Sequence, residues 1–375
     1  MSAEVWLRRI RLVSGLVVMA FVACHLTQLA LGLFSLATIE SYLWLLTFPW
    51  ETPAAEGLLL TCAIVHAILG LQAIAARRSL AMSTTDVVQA VLALMVVPVL
   101  TAHVLLTRIA GDLVRDFVAS YRLVLAAYWS FAPIHALQQL LAVMIVWTHA
   151  AIGLYSRMVL LPIWSRIGGL VLIVLFGVPV LALLGFVNAG QEALHRLAED
   201  PGWRQGVEAD WAKASSVLPQ LNRMESWILA IYGAVAVATL AVLMLRSLLT
   251  RRHRVRIVYE DGREAEGRSG LSILEISLLN GVPHAHVCSG RGRCGTCRVE
   301  VGEEAGQLSP PTEIERTTLA AVHAGANVRL ACQARVLGRS VHVTRLLPAF
   351  ADASAAREPE EWAPEIVVPA QELIT

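Results

Sequence analysis

Through its first 250 residues this sequence is poor in charge, and an ordinary soluble protein of such length could not be built that way. Charged residues make up 16% of the 375 and hydrophobic residues 56%, with a mean hydropathy of +0.62. The charges gather after that point, so composition alone divides the chain into a membrane part and a soluble part. A net charge of +1 without a clustered basic face excludes a nucleic-acid partner. There is no G-x-G-x-x-G fingerprint between a strand and a helix (the run Gly290-Arg-Gly292-Arg-Cys294-Gly295 lies in the cysteine loop), no P-loop and no flavin or nicotinamide domain, so the chain cannot by itself take hydride from a soluble cofactor and needs partners. A C-x-x-C-H motif is also missing, which excludes covalent haem attachment. The first apolar stretch is too long for a signal-peptide core and has no small-residue cleavage site, so it reads as a retained helix.

Six apolar windows, at 10–34, 56–76, 86–107, 133–155, 168–190 and 226–245, are long enough to cross a hydrocarbon core of about 30 Å. Arg8, Arg9 and Arg11 precede the first, Arg77 and Arg78 follow the second, Arg157 and Arg166 flank the loop between the fourth and fifth, and Arg251, Arg252 and Arg254 follow the sixth. Under the positive-inside rule these loops are cytoplasmic. The expectation is a multi-pass protein of the plasma (inner) membrane whose N-terminus and C-terminal part both face the cytoplasm. The loop 203–223, with its mixed charges and tryptophans, falls on the opposite side.

Five histidines lie in or at the mouths of these windows: His25, His66, His103, His135 and His149. Ionisable groups inside a membrane are costly and mark sites, although a neutral imidazole bonded to a neighbouring carbonyl is the ordinary alternative. Depth sorts them. Counted from the cytoplasmic ends at 1.5 Å per residue, His25 and His103 lie at about 21 and 25 Å, and His66 and His149 at about 15 and 9 Å. Two pairs at two levels, each from two helices, meet the needs of two stacked b-type haems with bis-histidine axial ligands. Zinc would call for four ligands at one depth with Cys or carboxylate help. His135, at the outer mouth of the fourth window, has no partner and reads as a headgroup-level, propionate or quinone neighbour. Cys24 and Cys62 stand singly and read as small buried hydrophobes.

The soluble part opens with a strand over 255–259, a turn at Asp261-Gly262 and a helix over 272–280. Then come Cys288, Cys294 and Cys297 in the spacing C-x5-C-x2-C, and Cys332 far downstream. Four thiolates in this pattern suit a [2Fe-2S] cluster, with Gly290, Gly292 and Gly295 letting the loop fold tightly and aim backbone N–H groups at sulfur. A zinc ribbon would show two C-x2-C knuckles, and a disulfide framework does not suit a reducing cytoplasm. Arg291, Arg293 and Arg298 would raise the cluster potential, dock an acidic partner, or simply solubilise the surface. The expected architecture is a six-helix α-helical transmembrane bundle over 1–250, an α+β domain over 251–347, and a flexible tail or linker over 348–375 rich in Ala, Glu and Pro.

Three resemblances attach to these residues. The cysteine spacing resembles the plant-type and, in its longer first gap, the adrenodoxin-type [2Fe-2S] ferredoxins, which implies a β-grasp fold. The run Arg11-Leu-Val-Ser14-Gly15-Leu, then Phe21 and His25-Leu26, resembles the first helix of the cytochrome b anchors of succinate dehydrogenases and fumarate reductases. That likeness implies a distal haem on His25 with His103, a proximal haem on His66 with His149, and contact of Arg11 and Ser14 with quinone or a haem propionate. Both residues are also ordinary helix-start residues, as cap and interface anchor. The whole arrangement resembles the membrane-anchored half of certain bacterial class III adenylate cyclases. Two functions are expected from these likenesses: electron transfer between quinone and a cytoplasmic redox partner, or redox sensing for a cyclase output domain. In the second case the chain is either a detached module or a sequence that stops before its output domain. The lipid bilayer and a second copy of the chain complete the expected partners.

Overall fold

The computed structural model describes residues 3–77, 80, 82–161, 163–249, 253–302, 306–352 and 354–356. Among them six helices are long and apolar enough to cross a membrane: α1 (Ala3–Ala30), α2 (Pro53–Ala75), α3 (Thr84–Val104), α4 (Ile134–Met158), α5 (Trp164–Glu199) and α6 (Pro201–Leu249). Their starts carry local signals. Thr52 accepts from Ala55 N–H ahead of Pro53, which costs the helix no bond at its first position, and Ser83 accepts from Asp86 N–H at 3.2 Å. Large apolar side chains such as Ile68, Ile173, Phe176 and Trp227 point outward, as a lipid-facing surface requires. Inside, α1 packs on α2 and α5, and α3 on α4.

Two expectations need correction. The fifth and sixth windows are much longer helices than predicted, and the expected loop 203–223 is helical throughout. At 1.5 Å per residue α6 reaches about 70 Å, so its first half projects beyond any bilayer. Asp200 makes the break: a residue before proline is driven out of the helical region, and here its carboxylate caps the next helix by accepting from Trp203 N–H at 2.9 Å. The segment between α3 and α4 is largely helical as well. It contains two π-helical turns, Leu105–Ile109 and Ala127–Phe131, and a short helix, Tyr121–Ala126. Leu105, Phe117 and Leu123 bury themselves against Val207, Ala214 and Leu221 of the projecting α6.

The C-terminal unit is a sheet of five strands among the described residues: β1 (Arg254–Tyr259), β2 (Glu264–Arg268), β3 (Arg298–Val301), β4 (Val328–Leu330) and β5 (Ser340–Arg345), in the order β2-β1-β5-β3-β4. β1 and β5 are parallel and the other pairs antiparallel. The β1 hairpin turns at Gly262, whose φ of 79° only glycine adopts without strain. Val255, Ile257 and Tyr259 alternate inward along β1 to meet α7 (Ile273–Leu279), which starts with a capping box of Ser272 and Glu275. A second helix, α8 (Glu313–Ala321), lies beside β4. Arg78, Arg251, Arg252 and most of the expected tail lie outside the described residues. Of the tail's beginning, Ala356 turns back against Cys288 and Cys294.

Candidate functional site

The loop between α7 and β3 carries three of the four cysteines, and its course is set by backbone that side chains resist. Gly290, Gly292 and Gly295 have φ of 76°, 67° and 76°, and a Cβ on Gly292 would come within 3.0 Å of Ile314. The loop thus wraps closely around the sulfurs. Backbone N–H of Arg293 donates to Cys288 Sγ at 3.5 Å. The fourth cysteine follows β4, fixed by a buried ion pair: Arg329 donates to Glu315 Oε1 at 2.8 Å and to Oε2 at 3.1 Å, and Leu330 N–H donates to Oε1 at 2.9 Å. Breaking such a buried pair by removing one partner costs roughly 3–5 kcal/mol.

The four thiols form two couples, Cys288 with Cys294 and Cys297 with Cys332, all buried. The hydrogen bond from Cys294 and those from the Arg293, Cys294 and Arg291 N–H groups hold the Cys288 thiol below the usual range. Their hydrogen-bond partners Cys288 and Cys332, together with burial, push Cys294 and Cys297 up. Four thiols gathered here cannot all ionise without a counter-charge, which a bound metal would supply. Among the described residues no three His, Cys, Asp or Glu side chains converge tightly enough to enclose one ion. Two buried couples of thiols are the donor set that a [2Fe-2S] cluster would take. Thr296, between the cysteines, donates or accepts with Cys294 Sγ at 3.1 Å and accepts from Val287 N–H at 3.1 Å. Gln333 Nε2 reaches Cys332 Sγ at 3.5 Å. Sequence reasoning passed over Thr296, Gln333 and Glu315, although the first two adjoin the cysteines.

The three arginines differ. Arg298 is 1% exposed within β3, which rules out a solubilising surface role. Arg291 finds its acid in this chain, at Asp86 of α3, 3.0 Å away. Arg293 is half-buried in the same loop.

In the membrane part four of the five histidines come together as two couples. His25 of α1 and His103 of α3 have ring centroids 6.0 Å apart, and His66 of α2 and His149 of α4 6.2 Å apart. Each Nδ1 has a partner. His66 donates to the Arg11 carbonyl at 3.0 Å and His149 to the Gln89 carbonyl at 3.2 Å, while His25 meets Tyr121 Oη at 3.5 Å and His103 meets Tyr128 Oη at 3.4 Å. A carbonyl can only accept, so His66 and His149 are fixed with Nδ1 protonated and Nε2 available to a metal. Gly15 presses on His66: a Cβ there would lie 2.6 Å from Cε1. The two tyrosines sit on the segment between α3 and α4 and were not picked out from the sequence.

His135 stands apart, bonded to Gln138 Oε1 at 2.8 Å with the Tyr128 ring 6.0 Å away. Ser14 is buried and donates to the Arg11 carbonyl of its own helix at 3.2 Å, and Arg11 donates to the Leu69 carbonyl at 3.4 Å. Cys24 and Cys62 are half-buried free thiols.

Residues 257–337 match the family described as 2Fe-2S iron-sulfur cluster binding domain. Across 111 residues, covering 27% of this chain, the sequence is 36% identical to a component of the Na(+)-translocating NADH-quinone reductase of Klebsiella pneumoniae subsp. pneumoniae. The chain spans about a quarter (26%) of the length of that relative. The C-terminal unit is therefore a 2Fe-2S ferredoxin-type domain, joined to six membrane-length helices, and its chemistry is electron transfer.

Proposed function

We propose that this ferredoxin-bearing membrane chain passes electrons between a quinone pool and a cytoplasmic redox partner. In this reading Cys288, Cys294, Cys297 and Cys332 hold a [2Fe-2S] cluster, and two b-type haems sit between His25 and His103 and between His66 and His149. The observation that carries it is the spacing of the two histidine couples, 6.0 and 6.2 Å between centroids. An imidazole nitrogen ligates a transition metal at about 2 Å and its ring centre lies about 1 Å behind, so two rings on opposite sides of one iron stand about 6 Å apart. When bound, the haems and the cluster supply one-electron carriers in a row.

The chain's own residues do the rest. Arg11 and Gln89 carbonyls orient the couple nearer the ferredoxin, and Tyr121 and Tyr128 orient the farther one. His135 by the farther couple, and Arg11 and Ser14 by the nearer one, are the residues that would contact quinone or a haem propionate. The name of the Klebsiella relative, a component of a quinone reductase, supports quinone as the membrane substrate. The arginine-flanked ends of α1, α2, α4 and α6 support a cytoplasmic N-terminus and ferredoxin in the plasma membrane. The domains follow as 1–250, 251–347 and a 348–375 linker.

The test is a spectrum of the purified chain with haem and iron analysis. Reduction with dithionite should give the split α-band of low-spin b-type haem at two haems per chain, beside the cluster. Iron without haem would overturn the haem part and turn attention to a regulatory role.

A further inference from the structure

The ferredoxin unit meets the helical unit through the loop that carries Cys288 and Cys294. Leu160, just past the end of α4, is 7% exposed because it lies with those two cysteines and with Val159 and Val287. At the tip of the loop Arg291 donates through Nη2 to Asp86 Oδ1 at 3.0 Å and to Gln89 Oε1 at 2.9 Å, while its carbonyl accepts from Arg8 Nη1 at 2.9 Å. Asp86, 7% exposed, also faces Arg77 at 3.5 Å. The same Gln89 gives its backbone carbonyl to His149. One residue of α3 thus touches both the cluster loop and the nearer histidine couple.

Cations gather at this contact. Arg77 at 3.5 Å and Arg291 at 3.0 Å both face the Asp86 carboxylate, Arg8 reaches the Arg291 carbonyl, and Arg8, Arg157 and Arg291 lie near enough to Arg293 to act on it. Burial, and then Arg157, Arg291 and Arg8, push Arg293 down to about 10. Arg8 and Arg157 belong to the helical unit, so they bear on the cluster only while the loop is docked. Reduction adds one negative charge at this place, with no bond made or broken, and cations already gathered there favour it.

We propose that Arg291 is a redox-linked latch: its pairing with Asp86 and Gln89 docks the cluster loop on the helical unit, and docking and cluster reduction favour each other. The linkage is reciprocal by thermodynamic necessity, so docking raises the potential of the cluster by as much as reduction tightens docking. The latch rests on the cysteines being the cluster ligands.

Asp86→Asn in the full chain decides it, because the two explanations differ in sign. Loss of a carboxylate beside a docked cluster leaves more positive charge and raises the potential, whereas loss of the latch withdraws Arg8 and Arg157 and lowers it. We expect the midpoint potential, read by EPR titration with dithionite as electron donor, to fall in Asp86→Asn and in Arg291→Ala. Hydrogen exchange over 286–298 should be slower in the reduced than in the oxidised wild type, and that difference should vanish in both variants. Asp86 and Gln89 lie outside the loop, so Asp86→Asn and Gln89→Ala carry the test if Arg291→Ala fails to assemble a cluster. A raised or unchanged potential in Asp86→Asn, or exchange indifferent to redox state in the wild type, would overturn the latch while leaving the cluster in place. A wild-type chain without cluster absorbance would remove the reading beneath it.

Discussion

The cysteines and the histidines of this chain are gathered by different means. Three of the cysteines lie within ten residues of one another on a loop shaped by glycines at positive φ, and the fourth is placed by one buried ion pair. The histidines come from four helices and meet only because α1 to α4 pack in one register, with each ring then turned by a carbonyl or a tyrosine. A site built on local backbone assembles with its own small sheet. A site built on helix packing depends on the whole bundle, and a change at one helix can empty one couple and spare the other.

The largest effect should fall on the local site. Cys288→Ser or Cys332→Ser removes one of four thiolates, so the visible absorbance and the reduced-state EPR signal of the cluster should disappear, and metal analysis returning zinc without iron would refute the assignment. Glu315→Gln should destabilise the ferredoxin unit by roughly 3–5 kcal/mol, since it leaves Arg329 buried without its partner. Thermal bleaching of the cluster absorbance reads this, and unchanged haem content in the same sample would show that the two sites are built independently.

Within the membrane, His149→Ala should abolish the nearer haem and keep the farther one, halving haem per chain. With a quinol analogue as donor the farther haem should still be reduced while the cluster stays oxidised. Cluster reduction at the wild-type rate would mean that the membrane histidines are not its source of electrons. Gly15→Ala sharpens the contrast without touching a ligand. Its Cβ would lie 2.6 Å from the His66 ring, so the nearer haem alone should lose occupancy, as its reduced spectrum would report. Smallest should be Tyr128→Phe, which removes a 3.4 Å contact to His103 Nδ1 worth about 1 kcal/mol. A modest shift in the potential of the farther haem, with the nearer unmoved, is the expected result of a redox titration.

Composition, apolar run length and the cysteine spacing determined six membrane-length helices and a ferredoxin unit, because those signals are local: a span needs only about 20 apolar residues in sequence, and a cluster loop needs its glycines and cysteines side by side. Counting the rise per residue was enough to sort four histidines into the couples His25 with His103 and His66 with His149, since depth along a helix is fixed by its pitch. The same reading missed the reach of α5 and α6, because a polar helix beyond the bilayer looks like a loop to a hydropathy window. It left Arg291, Arg293 and Arg298 alike between raising the cluster potential, docking an acidic partner and solubilising the surface. Tertiary structure alone decided that Arg298 is buried, that Arg291 meets Asp86 from a distant part of the chain, and that Tyr121, Tyr128 and Gln89 orient the imidazoles. Contacts of that kind join residues 25 to 205 positions apart, and no spacing rule in the chain encodes them.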